Sequence, residues 1–421
     1  MLSPPRPRHF LFLQGMPCLF FPLLAEQLRL AGARTTRINL CLGDQLFWHG
    51  PRTVNYRGSY ASWPNYIEKF LYENNITDLI LLGEKRYYHR EAVTIAQRLG
   101  INVTVTDFGY LRPDWMTLER DGMSGASHFP RAPEAIKALA TRLPNPDWSV
   151  KFTDHAAVMA KGDLLYSFST LFGRLLFPFY RRSDRRPPAP LYFPACGLRL
   201  VGNAFLKSRA DHFVKTLTAS GDRYYLFPLQ LDYDFQIIAY SSYTGMAAAL
   251  EQVLTSFAVH APTGTRLILK EHPWDPGLIN WARLARRTAQ RLGIAARVDY
   301  LRGGDLDQLL QGACGVVTVN STVGIRALIL GRPLKTLGQA IYNIEGLTCR
   351  DNLDLFWSSV SPPDPALTQD FLKALAGSVM IRGGYFSQAG LARAVEEACK
   401  RLLTDLVVRY PDNDHSPQAG R

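Results

Sequence analysis

The feature that most restricts the fold is a hydrophobic period that keeps switching. Short apolar runs alternate with longer stretches whose apolar residues recur every three or four positions. Such alternation reads as strand–helix units and builds parallel sheets. In the first half, Phe10–Leu13 runs into Gln14-Gly15-Met16-Pro17, then an amphipathic helix over Phe20–Ala31 and a strand over Arg37–Leu40. Ile67–Asn75 and Glu91–Leu99 read as helices, the latter closed by Gly100; Leu79–Leu82 and Val103–Thr106 read as strands. The second half repeats the pattern with strands Tyr224–Leu229, Leu267–Leu269, Val298–Tyr300 and Gly315–Val319. Helices Met246–Ala258, Trp281–Leu292, Asp305–Gly312 and Ile325–Leu330 lie between or after them. The expectation is an α/β protein of two Rossmann-like domains facing across a cleft.

Between the halves the pattern fades. Pro130 to Lys161 is weakly periodic, and Leu171-Phe172-Gly173-Arg174-Leu175-Leu176-Phe177-Pro178-Phe179-Tyr180-Arg181-Arg182 mixes aromatic and basic residues. It reads as a helix, either buried on one side with a solvated basic end or resting on an anionic bilayer surface. Pro187, Pro188 and Pro190 read as a linker. The expected domains are 1–188, 189–385, and a C-terminal helix with tail over 386–421. Within that last segment Leu391–Leu406 reads as helix and Pro411–Arg421 as disordered.

The 421 residues carry a net charge of +12 with a pI near 9.4, which favours an anionic partner without choosing one. No zinc-type Cys/His spacing and no RNA-binding signature is present, so nucleic acid is not the expected partner. Six scattered cysteines fit free thiols in a reducing compartment better than a disulfide framework. The apolar stretch after Arg6 and Arg8 resembles a signal peptide, but Gln14, Gly15 and Pro17 interrupt it, and strand–turn–helix is the preferred reading. No apolar run is long enough to predict a membrane span.

Candidate chemistry gathers where strands end. Lys270-Glu271-His272-Pro273 closes the Leu267–Leu269 strand, at the sheet edge where open α/β folds bind ligands. Pro273 presets the backbone of His272, whose imidazole can hold a phosphate or merely occupy a turn. Asn320-Ser321-Thr322-Val323-Gly324 opens a helix with two hydroxyls, which suits an anion and equally suits an ordinary cap. Gly15 either admits a ligand to the backbone or makes a tight turn. Asp232-Tyr233-Asp234 has the spacing of a metal-binding acidic pair, a weak signal, and no metal is assigned. Asp234 reads as a nucleophile or acid/base group, or as a loop carboxylate bonded to backbone. Asp107 ends a strand of the first half and can supply a second carboxylate. Glu119, Arg112 and Asp114 are nearby alternatives, with Arg112 suited to holding its own loop or to binding an acidic sugar.

Taken together, these stretches resemble the bacterial capsule polysaccharide β-Kdo transferases of the KpsS/LipB type. The resemblance runs from about Phe10 to Phe386. It is carried by Phe12-Leu13-Gln14-Gly15, Arg37-Ile38-Asn39, Gly43-Asp44 with Phe47-Trp48, and Gly109-Tyr110-Leu111-Arg112-Pro113-Asp114-Trp115 with Thr117-Leu118-Glu119. It continues through Pro228-Leu229-Gln230-Leu231, Asp234-Phe235-Gln236, Lys270-Glu271-His272-Pro273, Asn320 to Gly324, Tyr342 to Thr348 and Phe356-Trp357. The family implies a GT-B fold and metal-independent transfer of Kdo, an acidic keto-sugar, from CMP-β-Kdo with retention. The implied acceptor is a (lyso)phosphatidylglycerol at the inner face of the inner membrane, so the chain is expected to be cytoplasmic and peripheral. Other capsule assembly proteins are possible partners. By this resemblance His272 and Pro273 match a CMP-binding pair, Ser321 and Thr322 hold the CMP phosphate, and Asp234 is the nucleophile. Gln14, Gly15, Arg112, Lys270, Asn320 and Gly324 join the substrate-binding set, and Asp107 and His272 join Asp234 in the catalytic set.

One departure stands out. The family usually carries two acids before the glycine of the Gly-Tyr-Leu-Arg-Pro stretch, and here they are Asp107 and Phe108. Rival expectations are another GT-B sugar transferase or epimerase, and a non-catalytic capsule assembly or export protein.

Overall fold

The computed structural model describes residues 7–183, 185–359 and 361–407. The chain divides into two compact units, one of residues 7–130, 139–183 and 373–407, the other of 131–138 with 185–372.

The first unit is built on a seven-stranded sheet. In chain order its strands are β1 (His9–Phe12), β2 (Arg34–Asn39), β3 (Thr53–Asn55), β4 (Asp78–Leu82), β5 (Asn102–Phe108) and β6 (Trp115–Arg120). The second unit supplies β7 (Arg223–Pro228), β8 (Thr265–Lys270), β9 (Val298–Leu301), β10 (Gly315–Thr318) and β11 (Leu334–Thr336). The chain then returns to the first sheet with β12 (Met380–Arg382). The spatial orders are β12-β6-β5-β4-β1-β2-β3 and β11-β10-β7-β8-β9. β1 to β5 pair in parallel, and so do β7 to β11; β6 and β12 are antiparallel additions. Each parallel set winds outward from its first strand and then reverses. The reversal falls between β1 and β4 in one sheet and between β7 and β10 in the other. Crevices at the carboxyl ends of such reversals are where open α/β sheets take ligands.

The central strands are apolar on both faces because helices cover both faces. Phe10, Leu11, Phe12, Leu79, Ile80 and Leu81 are fully buried in the first unit, as are Leu226, Phe227, Leu267, Ile268 and Leu269 in the second. The helix Trp281–Arg291 shows the helical counterpart. Trp281, Ala285 and Ala289, four residues apart, face the core, while Arg283, Arg286 and Arg287 are exposed. Among the described residues no helix is long and apolar enough to cross a membrane. None of the six cysteines is in a disulfide; Cys41 is buried and the rest half-buried.

Three expectations are corrected. The basic–aromatic stretch is helical only at its start: the helix Ala156–Phe172 ends two residues into it, and only a one-turn 3-10 segment, Gly173–Leu175, follows. The interdomain linker expected over Pro187, Pro188 and Pro190 ends sooner: the chain changes unit just before Arg185, and of the three only Pro187 lies outside the next helix and its cap. Pro188 caps the 31-residue helix Ala189–Ala219, and Pro190 sits in its first turn, where no N–H is needed. The second domain does not run to 385. Met380–Arg382 pairs with β6, and the helix Gln388–Leu403 lays Ala394, Ala398 and Leu402 on the Phe10, Phe12 and Phe20 core of the first unit. The first sheet's outer apolar face therefore needs the end of the chain. The stretch expected to be disordered, Pro411–Arg421, lies outside the described residues.

A charge placed in that seam tests its importance. Ala394→Asp is expected to lower the stability of the first unit by about 3 kcal/mol or more, because the carboxylate would be buried without a partner. Ala392→Asp, on the exposed side of the same helix, is expected to cost about 0.5 kcal/mol or less. Urea unfolding followed by near-UV circular dichroism compares the two.

Candidate functional site

In the second unit, β7 separates the two strands that carry the motifs. Lys270, Glu271, His272 and Pro273 follow β8, and Asn320, Ser321 and Thr322 follow β10. Both neighbours are parallel to β7, so the two motifs leave the same carboxyl edge. Two strand spacings make the separation roughly 10 Å.

Each motif is held by its own neighbours. His272 is half-buried, and its Nδ1 accepts from the Trp274 N–H at 3.1 Å. That bond puts the proton of a neutral imidazole on Nε2, as a donor. Asp275 fixes the turn beyond, accepting from Gly277 N at 2.7 Å and from Trp281 Nε1 at 3.0 Å. Glu271 points the other way. It accepts from Arg199 Nε at 3.1 Å and from the Tyr300 hydroxyl, with Arg302 Nε 3.8 Å away. Lys270 is buried at the strand end; loss of solvent lowers its ammonium below the usual lysine value, against Glu271 and Asp305, which raise it.

Asn320 does not face outward. Its backbone N–H donates to Gln230 Oε1 and the Gln230 amide donates to Asn320 Oδ1, both at 3.1 Å, which clasps β7 to β10 at the reversal. Asn320 Nδ2 also donates to Gln236 O at 2.7 Å. Ser321 and Thr322 are half-buried at the start of the helix Val323–Ile329. Ser321 Oγ accepts from Val323 N at 3.2 Å, which leaves its O–H to donate elsewhere. Gly324 is buried beneath Tyr342, whose hydroxyl donates to Ser321 O at 2.5 Å. A Cβ at Gly324 would lie 2.3 Å from that hydroxyl oxygen, so packing requires the glycine.

The acidic pair splits into two caps. Asp232 Oδ1 accepts from Met246 N at 2.8 Å, starting the helix Met246–His260. Asp234 Oδ1 accepts from Gln236 N at 2.9 Å, as the N-cap of Phe235–Tyr240. Asp234 is half-buried on the segment that leaves β7. Among the described residues no group of three or more His, Cys, Asp or Glu side chains is placed to hold a metal ion.

The first unit's reversal is a buried polar network. Gln14 donates to Asp44 Oδ2 at 3.1 Å, and its amide nitrogen lies 2.9 Å from Tyr166 Oη and 3.1 Å from Tyr180 Oη. Arg37 reaches Asp44 at 3.4 Å and donates to Leu13 O. Desolvation lowers the Arg37 guanidinium, while Asp44, Tyr166 and Cys41 pull it back up. Gly15 lies against the Phe21 ring, at the mouth of a small cavity also lined by Arg37, Asp44 and Tyr166. On β4's edge, His89 is fully buried with Nδ1 2.8 Å from Leu82 O and 3.0 Å from Gly83 O. Carbonyls only accept, so Nδ1 carries the proton. Nε2 has no hydrogen-bond partner among the described residues. Burial, then the Arg86 and Arg37 charges, push this imidazole down to about 3 against the backbone bonds that favour its protonation.

Asp107 is the last residue but one of β5, half-buried, with Oδ1 accepting from Phe108 N at 2.7 Å. Desolvation raises its carboxyl; the Phe108 N–H, Arg86 and Arg112 oppose the rise. Arg112 donates to Gly109 O at 3.2 Å and lies 4.9 Å from the centre of the Phe108 ring. The alternatives are committed elsewhere. Glu119 is buried under Tyr110 and Ser127, and Asp114 accepts from Phe152 N at 2.6 Å. The structure thus brings His272, Pro273, Lys270, Ser321, Thr322 and Asp234 to one edge of the second sheet. Asn320, Gly324, Gln14 and Arg112 are taken up by internal bonds or packing. Gln230 and Glu271 escape a sequence reading of function because polar residues just past strand ends do not reveal which way they turn, and the Arg37–Asp44 pair because it joins a strand to a helix.

The sheet orders define two Rossmann-like units, the organisation of the GT-B fold. A model of the capsule polysaccharide biosynthesis protein family matches residues 77–386, and the chain belongs to that family. It is 29% identical over 386 residues to the capsule polysaccharide modification protein LipB of Neisseria meningitidis, covering 90% of this chain and 92% of that one. It is also 29% identical over 384 residues to the capsule polysaccharide export protein KpsS of Escherichia coli, covering 90% and 97%. Among solved structures, the KpsC β-Kdo 2,7 transferase of Thermosulfurimonas dismutans aligns over 94% of this chain and 99% of that chain, with 14% identity and a TM-score of 0.44.

Two outcomes follow from this packing. Gly324→Ala is expected to destabilise the second unit by about 1–3 kcal/mol, since Tyr342 must move off Ser321; thermal unfolding measures it. The other concerns acid. His89 is neutral when folded and titrates near 6.5 when unfolded, so between pH 6.5 and about 3 the unfolded chain holds the extra proton. Its contribution is complete above pH 6.5 and is lost on acidification, by at most about 1.4 kcal/mol per pH unit. His9, also lowered by burial, acts in the same direction. His89→Asn, which keeps a donor near Nδ1, is expected to flatten the decline of the urea midpoint between pH 7 and pH 5.

Proposed function

We propose that the chain is a retaining β-Kdo glycosyltransferase that moves Kdo from CMP-β-Kdo to a (lyso)phosphatidylglycerol acceptor, working peripherally at the inner face of the inner membrane. The observation that carries the reading is the shared carboxyl edge of the second sheet. There an imidazole donor, two hydroxyls and a half-buried carboxylate leave neighbouring strands. Membership of a capsule polysaccharide family supports it, as does similarity to LipB and KpsS along nine-tenths of the chain.

In this reading Nε2–H of His272 and the hydroxyls of Ser321 and Thr322 bind the CMP phosphate, with Lys270 contributing positive charge. An Asp234 carboxylate oxygen attacks the anomeric carbon while the bond to the phosphate oxygen breaks and CMP leaves. The acceptor hydroxyl then attacks the same carbon and frees the carboxylate, so two inversions restore the configuration. The raised carboxyl of Asp107 suits it to exchange a proton with the acceptor hydroxyl. No metal enters the scheme, because the leaving phosphate carries its charge to hydrogen-bond donors.

A second reading, a non-catalytic capsule assembly or export component, is favoured by Phe108, which occupies an acid's position in the family pattern. One assay separates the two. Mass spectrometry of a fluorescent lysophosphatidylglycerol analogue, incubated with the protein and a CMP-Kdo generating system, is expected to show addition of Kdo. Asp234→Ala is expected to lower the rate about 10³-fold or more while CMP binding persists. No addition by the unaltered chain, with CMP still bound, would favour the assembly reading. UDP-sugars in place of CMP-Kdo test the other GT-B activities.

A further inference from the structure

We infer that the turn after the helix Ala156–Phe172 is a membrane-docking knuckle that seats the first unit on an anionic phospholipid surface. Phe172 is 74% exposed, Leu175 93% and Phe179 62%, with Leu176 beside them also exposed. Single exposed apolar residues are ordinary; four large ones within eight positions make a patch, and Leu198, Leu200, Val201 and Phe205 on the helix Ala189–Ala219 make the one rival to it among the described residues. The exposed Leu164 and Leu165 continue the apolar surface back along the helix.

This exposure does not come from a loose segment. Gly173 is buried against Leu42, where a Cβ would lie 2.3 Å from the Leu42 Cβ. Phe177 is buried too, with the Arg57 guanidinium 6.0 Å from its ring centre. Tyr166 and Tyr180, on either side of the turn, both meet Gln14 at the end of β1. The inner residues anchor the turn to the sheet, and the alternate ones project outward. Tyr166 and Tyr180 also tie the knuckle to the carboxyl edge of the first sheet.

Charge selects the occupant. Residues 164–183 hold three arginines and no acid, in a chain with 36 acids overall. Arg174 is exposed at the tip between the apolar side chains. Arg181, also exposed, lies 4.5 Å from the Tyr87 ring centre and 5.3 Å from that of Tyr60, which holds its charge at the rim. Phenyl and isobutyl groups at the tip with guanidinium groups around them match a boundary of acyl chains below and phosphates above. The inference concerns where the protein meets lipid and does not depend on the donor or the chemistry proposed above.

Vesicle co-sedimentation of the full chain tests it without any nucleotide sugar, so its result and that of the transfer assay stand apart. The chain is expected to bind phosphatidylcholine vesicles containing about one-quarter phosphatidylglycerol, more weakly at high salt, and to bind pure phosphatidylcholine poorly. The triple variant Phe172→Ser, Leu175→Ser, Phe179→Ser is expected to partition at least tenfold less, with its thermal midpoint kept. Arg174→Gln should weaken binding to the anionic vesicles alone. Leu198→Ser with Phe205→Ser, on the equally apolar face of the helix Ala189–Ala219, tests the rival surface and should leave partition unchanged. Wild-type partition by the triple variant would overturn the proposal. So would loss confined to the rival-surface pair, no vesicle binding by the unaltered chain, or a change only in self-association.

Discussion

Two side-chain amides hold the place where the second sheet changes direction. Parallel strands joined through helices leave their carboxyl ends unlinked at the reversal, and nothing in the backbone ladder fixes the spacing of the loops beyond. Gln230 and Asn320 supply that link, exchanging two hydrogen bonds at 3.1 Å between the ends of β7 and β10. The second donor of Asn320 reaches Gln236 O, inside the short helix that Asp234 caps. One residue therefore fixes the strand carrying Ser321 relative to the segment carrying Asp234. Asn320 acts by position, since its polar atoms are engaged with protein.

Most strands of both parallel sets follow from local period, though Thr53–Asn55 and Leu334–Thr336 are too short to show one, and strand ends mark where motifs emerge. Lys270 to Pro273 and Asn320 to Thr322 were legible for that reason: a run of buried apolar residues stops and polar residues begin. What was not legible depends on contacts far apart in sequence. Trp115–Arg120 is buried but short and mixed in composition, and only its antiparallel pairing with β5 on one side and β12 on the other makes it a strand. The return of the chain end to the first unit is equally hidden, because the small residues Ala394 and Ala398 say little until Phe10 and Phe12 are set against them. Pro188 and Pro190 misled for a local reason. Proline breaks a helix interior but fits its first turn, and composition alone does not separate the two.

The motif residues also divide by a rule that sequence does not carry. A polar side chain at a strand end may serve its own fold or a ligand, and the choice follows from whether backbone donors lie within reach. Asp232 and Asp234 both find one, at the starts of two helices. A carboxylate has two oxygens, and a cap bond through Oδ1 orients the whole group. The bond to Gln236 N is thus compatible with a chemical role for Asp234, and it supplies the fixed geometry that such a role requires.

Phe108 joins an aromatic group at the end of β5. Its ring packs edge-on to Tyr385 at 5.5 Å and near Phe386 at 6.2 Å, and it carries the Arg112 guanidinium on its other contacts. Tyr385 in turn stands edge-on to Phe20, so the aromatic group joins the end of β5 to the returning segment after β12. The same packing removes water from Asp107. Desolvation is the largest influence raising that carboxyl, and the Asp107 charge in turn disfavours ionisation of the buried Tyr385. An acid at position 108 would have put a second negative charge there and kept the edge hydrated. With phenylalanine, the segment that completes the first unit's core also lowers the polarity around Asp107, so fold closure and the ionisation of Asp107 are linked through one aromatic contact.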